Sequence, residues 1–99
     1  MTASAARRLP PLVLIHGVGL DRTMWDGVLD CLSGRLRCTA FDMPCHGEAG
    51  MPAGEVTLRT FSDALGSVVN GLDGAPVVAG FSMGAMVAQR FALDRPDAL

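Results

Sequence analysis

The stretch GFSMG, Gly80–Gly84, separates two different patterns in the sequence and decides the fold. Before it, PVVAG (residues 76–80) is a short apolar run typical of a buried strand. After it, residues 83–96 place apolar side chains at helical spacing until Pro96 forbids a further turn. A strand that passes directly into a helix is the repeating unit of α/β proteins, so further units are expected before this junction.

Two more apolar runs precede it, LVLI (residues 12–15) and RCTAFD (residues 37–42). Helical patterns fill the gaps at residues 23–34 and 57–74, each beginning with a threonine in the N-cap position. The order is strand, helix, strand, helix, strand, helix, with strands apolar enough to be buried on both faces. The sequence therefore predicts an α/β fold with three parallel strands joined by crossover helices.

Composition excludes several classes of protein. The 99 residues are 49% hydrophobic and 18% charged, with mean hydropathy +0.35, which predicts a packed core. The formal charge is −2 and the eight basic residues are dispersed, so no basic stripe indicates nucleic-acid binding. Since no apolar run approaches the roughly 18 residues of a membrane span, we expect no membrane association.

The three cysteines, Cys31, Cys38 and Cys45, show no C-x-x-C spacing and cannot all pair with one another, so we expect reduced thiols and a cytoplasmic location. For domain organisation we expect a flexible N-terminal tail at residues 1–11. The remainder, residues 12–99, is expected to form the N-terminal portion of a larger domain.

The GFSMG stretch also predicts a chemical role. A serine between two glycines at a strand-to-helix turn is typical of a nucleophile elbow, in which the backbone around Ser82 is strained and tolerates only small neighbours such as Gly80 and Gly84. The helix that follows directs its positive dipole end and the free N–H of Met83 toward this point. Ser82 is thus the candidate nucleophile.

An oxyanion needs a second donor, and HGVG, residues 16–19, offers one. Its glycines allow the loop to fold toward the serine so that the N–H of Val18 can reach the same oxygen. The alternative is an ordinary glycine-rich turn. A dinucleotide-binding loop is excluded because no third glycine follows.

Three motifs in order, HGVGLDRTMW, FDMPCHG and GFSMGAMVAQ, resemble the α/β-hydrolase superfamily, particularly its esterase and enol-lactonase type enzymes. The resemblance covers residues 12–99 and implies that the first strand lies between the other two. It also implies Ser82 as nucleophile, the backbone N–H groups of Val18 and Met83 as oxyanion donors, and structural roles for His16 and Gly17. It implies no cofactor and no metal.

The loop after the second strand departs from the family pattern. Cys45 stands where the family usually has glycine, and Ala49 where serine is common. Two polar side chains of this loop, Asp42 and His46, are interpreted as anchors of the backbone rather than as catalysts.

In the resembled family the acid and the histidine follow the serine in the chain, yet no histidine occurs among residues 83–99. We therefore expect a fragment of a serine hydrolase of esters, lactones or thioesters that is inactive alone and self-associates through its unprotected third strand. Two alternatives stay open. One is a cofactor-free haloperoxidase or carbon–carbon bond hydrolase on the same elbow, and the other is a non-catalytic remnant or interaction module.

Overall fold

A computed structural model of the protein describes residues 9–99. Most of the tail expected at residues 1–11 therefore lies outside the described residues. Within that range, the Pro11 carbonyl accepts a hydrogen bond from the Val77 N–H at 2.8 Å. The Leu9 carbonyl accepts one from the Arg37 guanidinium at 2.7 Å. The segment just before the first strand is thus joined to the sheet.

The described residues form three strands, three α-helices and two short 3-10 turns. In chain order these are β1 (Leu12–Ile15), a 3-10 turn (Arg22–Trp25), α1 (Asp26–Leu32), β2 (Cys38–Phe41), α2 (Leu58–Asn70), β3 (Val77–Gly80), α3 (Met83–Asp94) and a second 3-10 turn (Pro96–Ala98). The strands make one parallel sheet in the order β2-β1-β3. The predicted α/β class, the parallel strands and the central position of β1 are confirmed.

The register of the sheet brings the ends of all three strands together. Ile15 at the end of β1 lies opposite Phe41 of β2 and Gly80 of β3. The N–H of Phe81 continues the pairing one residue further, donating to the Ile15 carbonyl at 3.0 Å. Because the strands are parallel, the loops that follow them all leave from one edge, where open α/β sheets place their ligands.

The core lies between the sheet and the pair α2 and α3, which pack against each other. Its buried side chains are Val13, Ile15, Met43, Leu65, Val69, Val87 and Phe91. Leu14, which is also buried, points to the opposite face of the sheet because side chains alternate along a strand. The first 3-10 turn contacts β1 and β2, whereas α1 buries no residue completely. Among residues 9–99, no helix is both long and apolar enough to cross a membrane.

The helix starts partly follow the sequence prediction. Thr57 caps α2 as predicted, in a reciprocal pair of hydrogen bonds with Thr60. The prediction of Thr23 as the first N-cap is wrong, since the helical region begins at Arg22, two residues before the start that a Thr23 cap implies. Asp21 is the cap, and its carboxylate accepts from the N–H of Thr23 at 2.9 Å and from the Thr23 hydroxyl. A carboxylate is an equally good cap acceptor, and here it satisfies two donors at once.

We propose that this chain self-associates through the outer edge of β3. Within the described residues β3 pairs with β1 alone, and Val77 is 54% exposed. An unprotected edge pairs with edges of other chains, and a lysine on it discourages such pairing. We expect the 99-residue chain to form oligomers at micromolar concentration in size-exclusion chromatography with light scattering, and Val77→Lys to shift it toward monomer.

The control is Leu93→Lys, which adds the same charge at an exposed apolar position of α3. If the unmodified chain is a uniform monomer, or if Leu93→Lys disperses the oligomers and Val77→Lys does not, the β3 edge is not the association surface.

Candidate active site

Ser82 occupies a strained turn between β3 and α3. Its backbone has φ 55° and ψ −112°, outside the regions that L-residues favour. Such a conformation costs about 1–3 kcal/mol and persists only where neighbouring structure enforces it. The enforcing contacts are close approaches of backbone, because a Cβ on Gly80 would overlap the Gly84 peptide and one on Gly84 would overlap the Ile15 carbonyl. Neither position therefore has room for a side chain.

The hydroxyl of Ser82 is exposed and has no hydrogen-bond partner among residues 9–99. Its backbone is well held, since its carbonyl accepts from the N–H groups of Ala85 at 3.0 Å and Met86 at 3.3 Å. The backbone of Ser82 is thus held in place while its hydroxyl group is free, an arrangement that leaves the oxygen accessible to a substrate.

Two backbone donors at this edge of the sheet have no acceptor in the described part of the chain. Met83 is the first residue of α3, so its N–H has no acceptor within the helix. The N–H of Val18, in the loop after the adjacent strand β1, has no acceptor within residues 9–99 either. Unpaired N–H groups from neighbouring loops are what an oxyanion hole requires.

His16, inside the protein, connects the loop that follows β1 to the loop that follows β2. The residue is completely buried; its ring Nδ1 lies 2.8 Å from the Gly17 carbonyl and its Nε2 accepts from the Met43 N–H at 3.0 Å. This pattern requires the tautomer with the proton on Nδ1. Gly17 is buried beside it, and a Cβ there would lie 3.0 Å from the Phe81 ring. Both residues hold the loop that carries Val18.

His46 makes the corresponding link in the opposite direction. Its Nε2 accepts from the Gly19 N–H at 3.0 Å, and its Nδ1 donates to the Pro44 carbonyl at 2.9 Å. These are the chain's two histidines, and every ring nitrogen is engaged away from Ser82. The Gly19 bond joins residues 27 apart in the chain, and no local sequence pattern could have indicated it.

Asp42 organises the β2 end of the site. Its side chain is 5% exposed, accepts from the N–H of Arg22 at 2.8 Å and of Glu48 at 2.9 Å, and forms an ion pair with the Arg22 guanidinium. The Glu48 N–H bond is the largest cause that holds the pKa of Asp42 below its usual value, with the Arg22 contacts adding to it and burial opposing it. The carboxylate joins this loop to the first 3-10 turn.

Cys45, which stands where the resembled family usually has glycine, adopts an unusual backbone conformation. Cys45 has φ 71°, a left-handed conformation that favours glycine, and its N–H donates to the Gly50 carbonyl at 2.9 Å. The residue thus adopts the turn that a glycine would make without strain. Ala49 is exposed in the same loop and donates its N–H to the His46 carbonyl at 3.0 Å.

The family follows from this geometry and from comparison with known proteins. A sequence model of the alpha/beta hydrolase family matches residues 12–98, which is most of the chain. The protein belongs to the α/β-hydrolase family.

Individual relatives within it differ in their reactions. The chain is 35% identical over 88 residues to the (E)-2-((N-methylformamido)methylene)succinate hydrolase of Acinetobacter baylyi, covering 88% of this chain and 34% of that protein. It superposes on a thermophilic esterase from Thermogutta terrifontis with TM-score 0.84 and 36% identity, over 92% of this chain and 34% of the esterase. For the enol-lactonase of Burkholderia xenovorans the TM-score is 0.82 at 26% identity, over 93% and 36%. The chain thus spans about a third of the length of these relatives.

Asp42 gives the fold a predictable dependence on pH. Since its pKa is lower folded than unfolded, its carboxylate stabilises the fold above the unfolded value of about 3.9, and this stability is lost as pH falls through the folded pKa. We expect Asp42→Asn to lower the Tm at neutral pH by roughly 5–10 °C, as loss of charge-assisted hydrogen bonds of about 1.5–3 kcal/mol each implies. Thermal melts followed by circular dichroism measure this.

Below about pH 4 the Tm of the variant should fall less than that of the unmodified chain, because the variant lacks the carboxylate whose protonation destabilises the fold. Some decline remains, since the Thr23 side-chain hydrogen bond also lowers the pKa of Asp21. The exposed Asp63→Asn is the control and should match the unmodified chain. Equal Tm values for the two variants at neutral pH would contradict the role given to Asp42.

Cys45 provides a second stability prediction. Cys45→Gly removes a left-handed penalty of about 1–2 kcal/mol and adds a chain-entropy cost of about 0.5–1 kcal/mol. The free energy of unfolding should therefore rise by up to about 1 kcal/mol in urea titrations. The same change at Cys31, within α1, should lower it by about 1 kcal/mol. Destabilisation by both substitutions would mean that the Cys45 side chain contributes more than its backbone costs.

Proposed function

We propose that this chain carries the nucleophile and the oxyanion hole of a serine hydrolase acting on carboxylic esters, lactones or thioesters. The observation that carries the proposal is the hydroxyl of Ser82 on a strained turn, which has no hydrogen-bond partner among residues 9–99. The same sheet edge bears the N–H groups of Val18 and Met83, which likewise have no acceptor in that range. Strain enforced by backbone contacts is typical of functional positions, where it fixes the orientation of a reacting group.

The proposed reaction has two halves. The Ser82 oxygen attacks the substrate carbonyl carbon while its proton passes to a general base, and the carbonyl oxygen becomes an anion that the N–H groups of Val18 and Met83 stabilise. The tetrahedral intermediate collapses, the C–O or C–S bond to the leaving group breaks, and that group takes the proton from the base. Water then hydrolyses the acyl-serine by the same steps, releasing the acid and restoring the hydroxyl.

These residues do not supply the base. Both ring nitrogens of His16 and of His46 bond to loop backbone, so neither imidazole can accept the Ser82 proton in this arrangement. The proposal therefore requires a histidine and an orienting acid from outside this chain. The 99 residues alone should show no more than the weak hydrolysis that an oxyanion hole and binding can provide without a triad.

The substrate class rests on the surroundings of the serine. Val18, Leu20 and Phe81 expose apolar side chains in the two loops that meet there, which suits an uncharged acyl group. Similarity to an esterase and to an enol-lactonase supports ester and lactone substrates. Since relatives of one fold catalyse different reactions, the fold alone does not choose between them.

We also propose a cytoplasmic location. Cys31, Cys38 and Cys45 are all free thiols in the structure. Burial raises the pKa of the Cys38 thiol, which keeps this one protonated and poorly reactive. Free thiols persist in the reducing cytoplasm.

The test is hydrolysis of p-nitrophenyl acetate and butyrate by the product of the complete gene. We expect Ser82→Ala to abolish turnover and labelling by a fluorophosphonate probe while leaving the Tm nearly unchanged, because the hydroxyl makes no hydrogen bond to residues 9–99. Ser67→Ala, another exposed serine, is the matched control and should retain both. Turnover that survives Ser82→Ala would overturn the assignment.

A further inference from the structure

Two reciprocal histidine bridges join the oxyanion loop, residues 16–19, to the β2 loop, residues 42–50. His16 of the oxyanion loop accepts from the Met43 N–H at 3.0 Å, and His46 of the β2 loop accepts from the Gly19 N–H at 3.0 Å. Each loop thus contributes one imidazole and one backbone donor. Val18 lies between the two anchored ends of its loop.

We propose that His46 is a positioning residue, which holds the Val18 N–H in place for the oxyanion by fixing the adjacent Gly19 peptide. The inference rests on the proposed function, because it assigns a purpose to the loop that this function uses. It does not make His46 a catalytic residue, since both of its ring nitrogens are bonded to backbone.

The ring of His46 is itself fixed from several sides. Its Nδ1 donates to the Pro44 carbonyl at 2.9 Å, which leaves the lone pair of Nε2 for Gly19. The His16 ring lies 5.0 Å away in a tilted arrangement, and the Phe61 ring meets it edge-on at 6.4 Å. An acceptor held this firmly can define the position of the group that donates to it.

The restraint matters because Val18 and Gly19 have few others. Both are exposed, and Gly19 has φ 78°, so the loop turns sharply there. Leu20 closes that turn by donating to the Gly17 carbonyl at 3.2 Å. Within residues 9–99 the Val18 N–H has no acceptor, so the His46 bond restrains the peptide that immediately follows this donor.

Two substitutions separate this role from simple stabilisation of the β2 loop. Asn at position 46 places its amide where Nδ1 lies, so His46→Asn can keep the Pro44 bond but cannot reach Gly19. Gln places an acceptor oxygen near the position of Nε2, so His46→Gln can keep the Gly19 bond. If His46 only stabilises its own loop, Asn is the better replacement; if it positions Gly19, Gln is.

We expect His46→Asn in the product of the complete gene to lower kcat for p-nitrophenyl butyrate by roughly 10- to 100-fold with little change in KM, since a small misplacement of a catalytic group has effects of this order. His46→Gln should recover most of the kcat. In the 99-residue chain, amide hydrogen exchange followed by NMR should be at least about tenfold faster at Gly19 in His46→Asn than in His46→Gln or the unmodified chain, as expected for an amide that has lost its acceptor.

The proposal is overturned if Gly19 exchanges equally slowly in both variants. It is also overturned if His46→Asn keeps the kcat of the unmodified protein while Ser82→Ala is inactive, or if Asn outperforms Gln. Failure of the proposed function has a different signature, because hydrolysis would then survive Ser82→Ala, whereas the exchange measurement at Gly19 requires no catalysis.

Discussion

The contact of Gly84 with the end of β1 is the constraint on which the site depends. A side chain at position 84 would overlap the Ile15 carbonyl, so α3 can begin this close to the sheet only with glycine there. The close approach sets the short path from Gly80 to Met83, and that path forces the left-handed backbone of Ser82. The strain of about 1–3 kcal/mol is offset by the core that α3 brings with it, since completely burying a large apolar side chain contributes about 1.5–3 kcal/mol. Val87 and Phe91 are two such residues.

The loops that follow β1 and β2 are held largely by polar contacts. His16 is completely buried, and burying its ring would be unfavourable if either nitrogen lacked a partner. Its bonds to Gly17 and Met43 meet that need and also connect the loops of β1 and β2. Asp42 connects the β2 loop onward to the 3-10 turn through Arg22. The loop that carries Val18 is therefore braced from the interior and from the β2 side.

The sequence predicted those features that depend on local pattern. Apolar runs located all three strands to within one residue at each end, and the threonine at position 57 located the start of α2, because strand burial and capping act over a few residues. The sequence pattern predicted Thr23 as the first helix cap, whereas the cap is Asp21. Both residue types are acceptable caps, and local sequence does not show which of the two side chains accepts the hydrogen bond. The strand order came from resemblance to a family. The bonds of His46 to Gly19 and of Asp42 to Arg22 join residues 27 and 20 apart, and such pairings depend on how the loops meet in three dimensions.

The groups at the sheet edge are held in two different ways, by backbone packing and by side-chain hydrogen bonds. Ser82 and Met83 are positioned by backbone packing, which a side-chain substitution in the loops leaves intact. The loop that carries Val18 is held by hydrogen bonds that the His46 and His16 rings accept from the N–H groups of Gly19 and Met43, and substitution can remove these bonds one at a time. The proposed nucleophile and one proposed donor are therefore held by the backbone itself, whereas the second proposed donor depends on side chains of its own loop and of the β2 loop. If the proposed roles hold, a change in the β2 loop, such as one at Cys45 in its left-handed turn next to His46, acts first on residues 16–19 and not on the turn at Ser82.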